Sequence, residues 1–151
     1  DGRLAITCDN ESENMIVWDV AKGTKSKTIE DAGWVNSVAF CPDPKTPQHV
    51  LTGRGDGLVV LWDIDTGKKI REFRGHVDVV TSVVFSPDGA RAYTASVDST
   101  IRVWNTATAK ELARIFNLED HDQWLAVTPE GYYDGSPQGC KHIAWRVGEK
   151  V

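Results

Sequence analysis

Short runs of β-branched and aromatic residues recur along the chain, and polar turn residues close each of them. The clearest group begins at residues 79–85. Ser86-Pro87-Asp88-Gly89 follows as a turn, because proline presets φ and glycine accepts a positive φ. Apolar residues then recur at 92–96, 100–104 and 110–116. Runs of this length and composition are typical of strands, so the pattern predicts four successive antiparallel strands.

The same succession recurs before and after this group. A second set of four strands is predicted at residues 35–40, 49–53, 58–63 and 69–73. An incomplete set precedes it, with strands at residues 4–7, 15–18 and 25–29. A degenerate set comes last, with strands from residue 124, at 132–136 and at 141–147. We therefore expect one domain of four repeats, at approximately 1–29, 30–73, 74–116 and 117–151.

One tryptophan marks the third strand of each repeat, at Trp18, Trp62, Trp104 and Trp145. The first three are followed by Asp or Asn, and successive gaps are 44, 42 and 41 residues. A period of roughly 40 to 45 residues ending in Trp-Asp is typical of four-stranded propeller blades. The expected fold class is therefore all-β.

The third repeat carries Gly75-His76, Ser86-Pro87-Asp88-Gly89 and a phrase that runs from Ser96 through Asp98 to Trp104. With these motifs the chain resembles the WD-repeat β-propeller family over almost its whole length. The resemblance implies about four four-stranded antiparallel blades, of which two are complete and two are partial. Because such a piece leaves blades open at both ends, we expect an open fragment, half of a dimeric ring, or a small closed ring.

In this family a buried hydrogen-bonded tetrad locks each blade. Carried over to the third repeat, the resemblance implies a tetrad of His76, Ser96, Asp98 and Trp104. His, Asp and Ser also form hydrolase triads, but the repeat spacing and the tryptophan favour the structural interpretation. The other repeats depart from the pattern at four positions: Ser12, Asp31, Arg54 and Gly139.

The last repeat resembles the closing blade of bacterial WD-repeat proteins, from Trp124 through Thr128-Pro129-Glu130-Gly131 to Pro137. Some of those proteins carry a caspase-like peptidase domain elsewhere in the chain. The resemblance therefore implies, as an alternative, a regulatory propeller in a larger bacterial enzyme.

Composition narrows the possible partners and compartment. The net charge of −5, without long charged runs, argues against nucleic acid and anionic membranes, and no apolar run is long enough to span a bilayer. The three separated cysteines, Cys8, Cys41 and Cys140, indicate free thiols in a reducing, cytoplasmic compartment. Cys140 and His142, even with His121, form too weak a cluster for a metal site. We expect no metal and no cofactor.

The first hypothesis for the function is a non-catalytic protein–protein interaction scaffold. The family's binding loops imply a candidate face for a protein or peptide made of Trp34, Arg54, Val77, Val79, Val97 and Trp124. Trp34 and Trp124 could instead pack between blades, and Arg54 could instead neutralise Asp31 or Asp56. A homo-oligomer that completes the ring is a further alternative. Tyr132, Tyr133, Asp134, His121 and His142 are the ionisable cluster from which an enzyme would draw an acid or base.

Overall fold

The computed structural model describes residues 2–9, 11, 13–118 and 123–142, and within them the chain forms thirteen strands and one short 3-10 helix. The first sheet, blade 1, is antiparallel with the order β1-β2-β3. Its strands are β1 (Leu4–Asp9), β2 (Asn14–Asp19) and β3 (Thr24–Ile29). The expectation of three strands in the first repeat is confirmed.

The next two repeats form the sheets that we call blade 2 and blade 3. Blade 2 has the order β4-β5-β6-β7. Its strands are β4 (Val35–Phe40), β5 (His49–Arg54), β6 (Val59–Asp63) and β7 (Lys68–Phe73). Blade 3 comprises β8 (Val80–Phe85), β9 (Arg91–Ser96), β10 (Thr100–Asn105) and β11 (Glu111–Asn117). The all-β fold class of antiparallel, propeller-like sheets is confirmed.

A β-bulge recurs at one position of the repeat. The pairing of the third and fourth strands shifts register immediately before Trp18, Trp62 and Trp104. The unpaired extra residue lies on the outer strand each time, at Ser26, Ile70 and Leu112. Such a residue bends the strand that carries it. The outer strand of each blade is therefore bent at the same point, next to the residue that pairs with the tryptophan.

The blades pack face to face through two apolar cores. Between blades 1 and 2, Met15 and Val17 meet Val60 and Trp62. Between blades 2 and 3, the second core joins Leu51, Val59, Leu61 and Phe73 to Val80, Val83, Phe85 and Trp104. Gly53 lies at this second interface, and a Cβ added there would stand 2.5 Å from Val80 Cγ1. The absence of a side chain at Gly53 therefore lets the two sheets approach each other closely.

The last repeat is placed differently from the expectation of a separate, partial fourth blade. Its strands β12 (Trp124–Val127) and β13 (Tyr133–Gly135) extend the third sheet, which runs β13-β12-β11-β10-β9-β8. Arg114 pairs with Val127, and Asn117 pairs with Trp124. An outer strand exposes a row of unpaired backbone groups, and β12 satisfies those of β11. The 3-10 helix Gly139–His142 follows β13, and Trp145 lies outside the described residues.

Candidate functional site

A chain of hydrogen bonds crosses the interior of blade 3. The Trp104 indole Nε1–H donates to Thr94 Oγ1 over 2.9 Å, and Thr94 Oγ1 lies 2.7 Å from His76 Nε2. His76 Nδ1 lies 2.8 Å from Asp98 Oδ2. A single pattern satisfies all four groups: Thr94 donates to Nε2, and the Nδ1–H of neutral His76 donates to the carboxylate.

Asp98 is held by more donors than His76 alone. Its Oδ1 accepts the Thr100 hydroxyl at 2.6 Å and the Thr100 backbone N–H at 3.0 Å, and its Oδ2 accepts the Val77 N–H at 3.2 Å. Burial alone would raise the pKa of Asp98. The hydrogen bonds from Thr100, His76 and Val77 outweigh burial and lower the pKa to about 2. The carboxylate therefore ties the connection before β8 to the turn between β9 and β10.

The His76 imidazole is neutral within this series of hydrogen bonds. Burial lowers the pKa of its imidazole because the charged form loses solvation, although Asp98 opposes that shift. The His76 side chain is fully buried, and Thr94 is 1% exposed. The hydroxyl that His76 contacts is therefore closed to solvent, and the arrangement lacks the accessible nucleophile that a hydrolase triad requires.

The serine or threonine member of this chain is Thr94, which corrects the expectation of Ser96. Trp104 pairs directly with Ala92, so Thr94 is its diagonal neighbour across the sheet, whereas Ser96 stands further along β9. Ser96 Oγ instead donates to the Asp78 carbonyl and accepts the Asp98 N–H. A sequence signal was present, because threonine stands at this repeat position three times, as Thr7, Thr52 and Thr94.

Blades 1 and 2 share only part of the arrangement. Trp18 Nε1 donates to Thr7 Oγ1 over 2.8 Å, and Trp62 Nε1 donates to Thr52 Oγ1 over 3.0 Å. In blade 2, Asp56 receives two hydrogen bonds from the Arg54 guanidinium, at 3.2 and 2.7 Å. The repeat position of His76 is taken by Asp31, which is exposed. Ser12 of blade 1 lies outside the described residues.

Five connections lie at one end of the blades, and we call this end the loop face. Register places Arg54 opposite Val35 and Ser96 opposite Val80, so the turns after β5 and β9 lie beside the connections that lead into β4 and β8. The loop face comprises residues 11 and 13, 30–34, 55–58, 74–79 and 97–99. A Cβ added at Gly57 would stand 2.8 Å from the His76 carbonyl oxygen, and the Gly33 N–H donates to the Glu13 carbonyl. The connections of all three blades therefore adjoin.

Large apolar side chains are exposed on the loop face. Trp34 is 59% exposed, Val77 85% and Val97 57%, whereas Val79 is half-buried. Atoms of the Trp34 indole lie 3.4 Å from the point that a Cβ on Gly55 would occupy, and the Trp34 carbonyl accepts the Gly55 N–H at 2.8 Å. One side of the indole therefore packs near Gly55, while the residue as a whole is mostly exposed.

Arg54 is turned towards its own blade. Its guanidinium lies over Gly33, where an added Cβ would stand 2.4 Å from Cζ, and its side chain is 18% exposed. The ion pair is with Asp56, which decides between the two carboxylates that the sequence left open. Arg54 therefore supports the connection that carries Trp34.

Trp124 lies at the same end of the third sheet but far from Trp34. It pairs with Asn117 on β12, beyond the outer strand β11, and is 42% exposed. Neighbouring strands are spaced about 4.8 Å apart, so β12 is separated from β8 by about 19 Å. Trp124 consequently stands at the rim, whereas Trp34, Val77 and Val97 belong to the adjoining connections of blades 2 and 3.

The residues considered for catalysis and metal binding are only partly described. Tyr132 and Tyr133 are exposed near β13, beside Asp134, while His121 and the side chain of His142 lie outside the description. Within the described ranges no group of three or more His, Cys, Asp or Glu side chains could hold a metal ion. The three cysteines are free thiols, and none of the described helices could cross a membrane.

The repeats identify the family. The model of the WD40 family, described as WD domain, G-beta repeat, matches residues 23–63 and 67–105, which is more than half of the chain. Each match begins at the outer strand of one blade and ends with the third strand of the next. The chain belongs to the WD40 family.

Two animal proteins are among its relatives. The chain is 31% identical to Protein groucho of Drosophila melanogaster over 141 residues, covering 86% of this chain and 19% of that protein. It is 29% identical to Transducin-like enhancer protein 2 of Mus musculus over 141 residues, covering 86% of this chain and 18% of that protein. The chain thus spans about a fifth of the length of these curated relatives. The bacterial affiliation expected for the last repeat stays a prediction.

Proposed function

We propose that the chain is a non-catalytic scaffold segment that binds a protein or peptide partner on its loop face. The observation that carries the proposal is Trp34, which is 59% exposed although blade 2 holds its backbone in place. Tryptophan is the residue type most enriched at binding hot spots. The exposed side chains of Val77 and Val97 extend the apolar surface onto blade 3. Membership of the WD40 family and the free thiols support a scaffold in a reducing compartment.

The shape of the loop face also supports binding. The backbone hydrogen bond between Trp34 and Gly55, the ion pair of Arg54 with Asp56 and the buried chain of His76 and Asp98 hold the connections before a partner arrives. A preorganised surface loses little conformational entropy on binding, so more of the contact energy is retained as affinity.

A displayed library of short random peptides, selected on the immobilised chain, tests the proposal. We expect peptides whose affinity falls at least about tenfold with Trp34→Ala, since a hot-spot aromatic contributes at least that much. Phe40→Ala is the matched control, because Phe40 is an exposed aromatic at the opposite end of β4. Peptides that bind Trp34→Ala as tightly as the unchanged chain, or that depend on Phe40 instead, would contradict the proposal.

Self-association is the second candidate, favoured by the outer face of blade 3. Val84 is 53% exposed and Ile101 is 44% exposed. Their repeat equivalents in blade 2, Ala39 and Val59, belong to the core against blade 3. A second copy that covers this face would complete a ring-like assembly, and light scattering on a sizing column measures it. We expect twice the formula mass of 16.7 kDa, reduced to one chain by Ile101→Lys. One chain mass at every concentration would exclude this candidate.

A further inference from the structure

Acidic side chains are concentrated at the loop face. Six exposed carboxylates belong to its connections: Glu11, Glu13, Glu30, Asp31, Asp56 and Asp78. Arg54 immediately precedes one connection and Arg74 belongs to another, and both are ion-paired, with Asp56 and Glu72 respectively. These arginines therefore leave most of the negative charge of this end uncompensated.

The opposite end of the same blades has a balanced charge. Its connections and adjoining strand ends in blades 1 to 3 carry six described cations and five described carboxylates: Arg3, Lys22, Lys45, Lys68, Arg91 and Lys110, and Asp19, Asp43, Asp63, Asp65 and Asp88. Lys22 and Asp19 form an ion pair of 2.9 Å. The acidity of the loop face is thus a property of that end and exceeds what a net charge of −5 spread evenly over the surface would give.

The carboxylates flank the exposed apolar side chains. Asp31 lies three residues before Trp34 on the same connection, and Asp56 follows Gly55, on which the indole rests. On blade 3, Asp78 is the neighbour of Val77 in sequence, and both are exposed. An aromatic ring with carboxylates around it suits lysine and arginine, whose aliphatic stems pack on apolar surface while their heads meet negative charge.

We infer that the partner's docking segment is a basic peptide, with Lys or Arg side chains flanking an apolar residue that packs on Trp34. The inference rests on the proposed function and adds the chemistry of the ligand. Charge complementarity selects the occupant, because an acidic rim attracts a cationic segment and penalises an anionic one. Nucleic acid is disfavoured by the same charges, since its phosphates require basic side chains.

Two pools of synthetic peptides of equal length and equal apolar content test the inference. One pool carries Lys or Arg at alternate positions and the other carries Asp or Glu, with Leu, Val or Tyr between. Fluorescence anisotropy measures their affinity for the unchanged chain, for Trp34→Ala, and for the double variants Glu30→Lys/Asp31→Lys and Asp43→Lys/Asp65→Lys. The last two change the net charge equally at opposite ends, and thermal unfolding verifies that each variant is folded.

We expect the basic pool to bind at least about tenfold more tightly than the acidic pool, with an affinity that falls as salt rises. Trp34→Ala and Glu30→Lys/Asp31→Lys should each weaken the basic pool about tenfold or more, while Asp43→Lys/Asp65→Lys should have less than about a twofold effect. Equal losses in both double variants would mean attraction by net charge alone and would overturn the inference.

The remaining outcomes separate the two proposals. If both pools bind equally and both need Trp34, the loop face binds peptides but the basic chemistry is wrong. If neither pool binds, the basic chemistry is again wrong, and the displayed library then decides the proposed function separately. If the acidic pool binds more tightly through Trp34, the docking segment is acidic and the inference is wrong.

Discussion

Blades 2 and 3 bury the same tryptophan–threonine pair but secure their loops by different chemistry. The Trp62–Thr52 bond measures 3.0 Å and the Trp104–Thr94 bond 2.9 Å. In blade 3 the series of hydrogen bonds continues from Thr94 through His76 to Asp98, whose side chain is 4% exposed. Blade 2 has Asp31 at the histidine position and uses Arg54 and Asp56, near the surface.

The difference shows which hydrogen bonds belong to the packed interior of every blade and which secure the loops of one blade. The tryptophan–threonine bond recurs in all three blades, whereas the histidine–aspartate bridge is confined to blade 3 among the described residues. Blade 2 presents the exposed Trp34 at the repeat position where blade 3 has the half-buried Val79. Blade 2, which lacks the buried histidine–aspartate bridge, thus carries the larger exposed side chain, Trp34.

Replacement by asparagine of the equivalent residues His76 and Asp31 should have the most unequal effect on the two blades. His76→Asn removes the link between Thr94 and Asp98, and we expect a loss of about 3 kcal/mol in the free energy of unfolding, since it leaves buried polar groups unsatisfied. Asp31→Asn changes an exposed side chain and should cost less than about 0.5 kcal/mol. Urea unfolding of both variants measures the difference, and similar losses would show that His76 has no special role.

The interface between the blades gives the next contrast. Gly53→Ala would place a Cβ 2.5 Å from Val80 Cγ1 and 2.9 Å from Val83 Cγ1, so we expect a loss of about 2 kcal/mol from overpacking. The repeat equivalent in blade 3 is Ala95, and Ala95→Gly should cost only about 0.5 kcal/mol through backbone entropy. Thermal unfolding of the pair provides the measurement. A neutral Gly53→Ala would contradict the close approach of the two sheets.

Acid should reduce the stability that the buried hydrogen bonds of His76 and Asp98 give to blade 3. Both pKa values are lowered by folding, so the folded state binds fewer protons than the unfolded chain and stability falls as pH falls. The contribution of His76 is complete above its ordinary pKa of 6.5 and declines below it. That of Asp98 is complete above its ordinary pKa of 3.8 and is lost as pH falls towards about 2, a loss of about 2 kcal/mol.

Two variants separate these contributions in unfolding measured across pH. His76→Asn should remove the decline that begins near pH 6.5, and Asp98→Asn should remove the decline between pH 3.8 and about 2. If neither variant changed the pH dependence of the free energy of unfolding, the buried hydrogen bonds of His76 and Asp98 would not be linked to stability.

The smallest expected difference concerns the two threonines. Thr94 bonds to both Trp104 and His76, whereas Thr52 accepts from Trp62 and donates to a backbone carbonyl 3.4 Å away. Thr94→Val should therefore cost about 1 kcal/mol more than Thr52→Val, because an additional buried imidazole nitrogen loses its partner. Chemical unfolding of the two valine variants compares them directly. A larger loss for Thr52→Val would reverse the assignment.

Strand periodicity and turn chemistry were sufficient to predict the blades, because alternation and Gly or Pro punctuation act locally. The family motif indicated Ser96 instead of Thr94, because the linear sequence does not show which residue of β9 lies diagonally across from Trp104 in the regular pairing of β9 with β10. The position of β12 also escaped prediction. Its sequence resembles an inner strand, but the open edge of β11 competes for its backbone hydrogen bonds.

Amide hydrogen exchange, followed along the chain with and without the basic peptide pool, tests the central claim that the loop face is the binding surface. The account predicts that bound peptide slows exchange within residues 30–34 and 55–58 and leaves residues 41–48, at the opposite end of blade 2, unchanged. Slower exchange confined to residues 41–48 would place the partner at the wrong end and contradict the account.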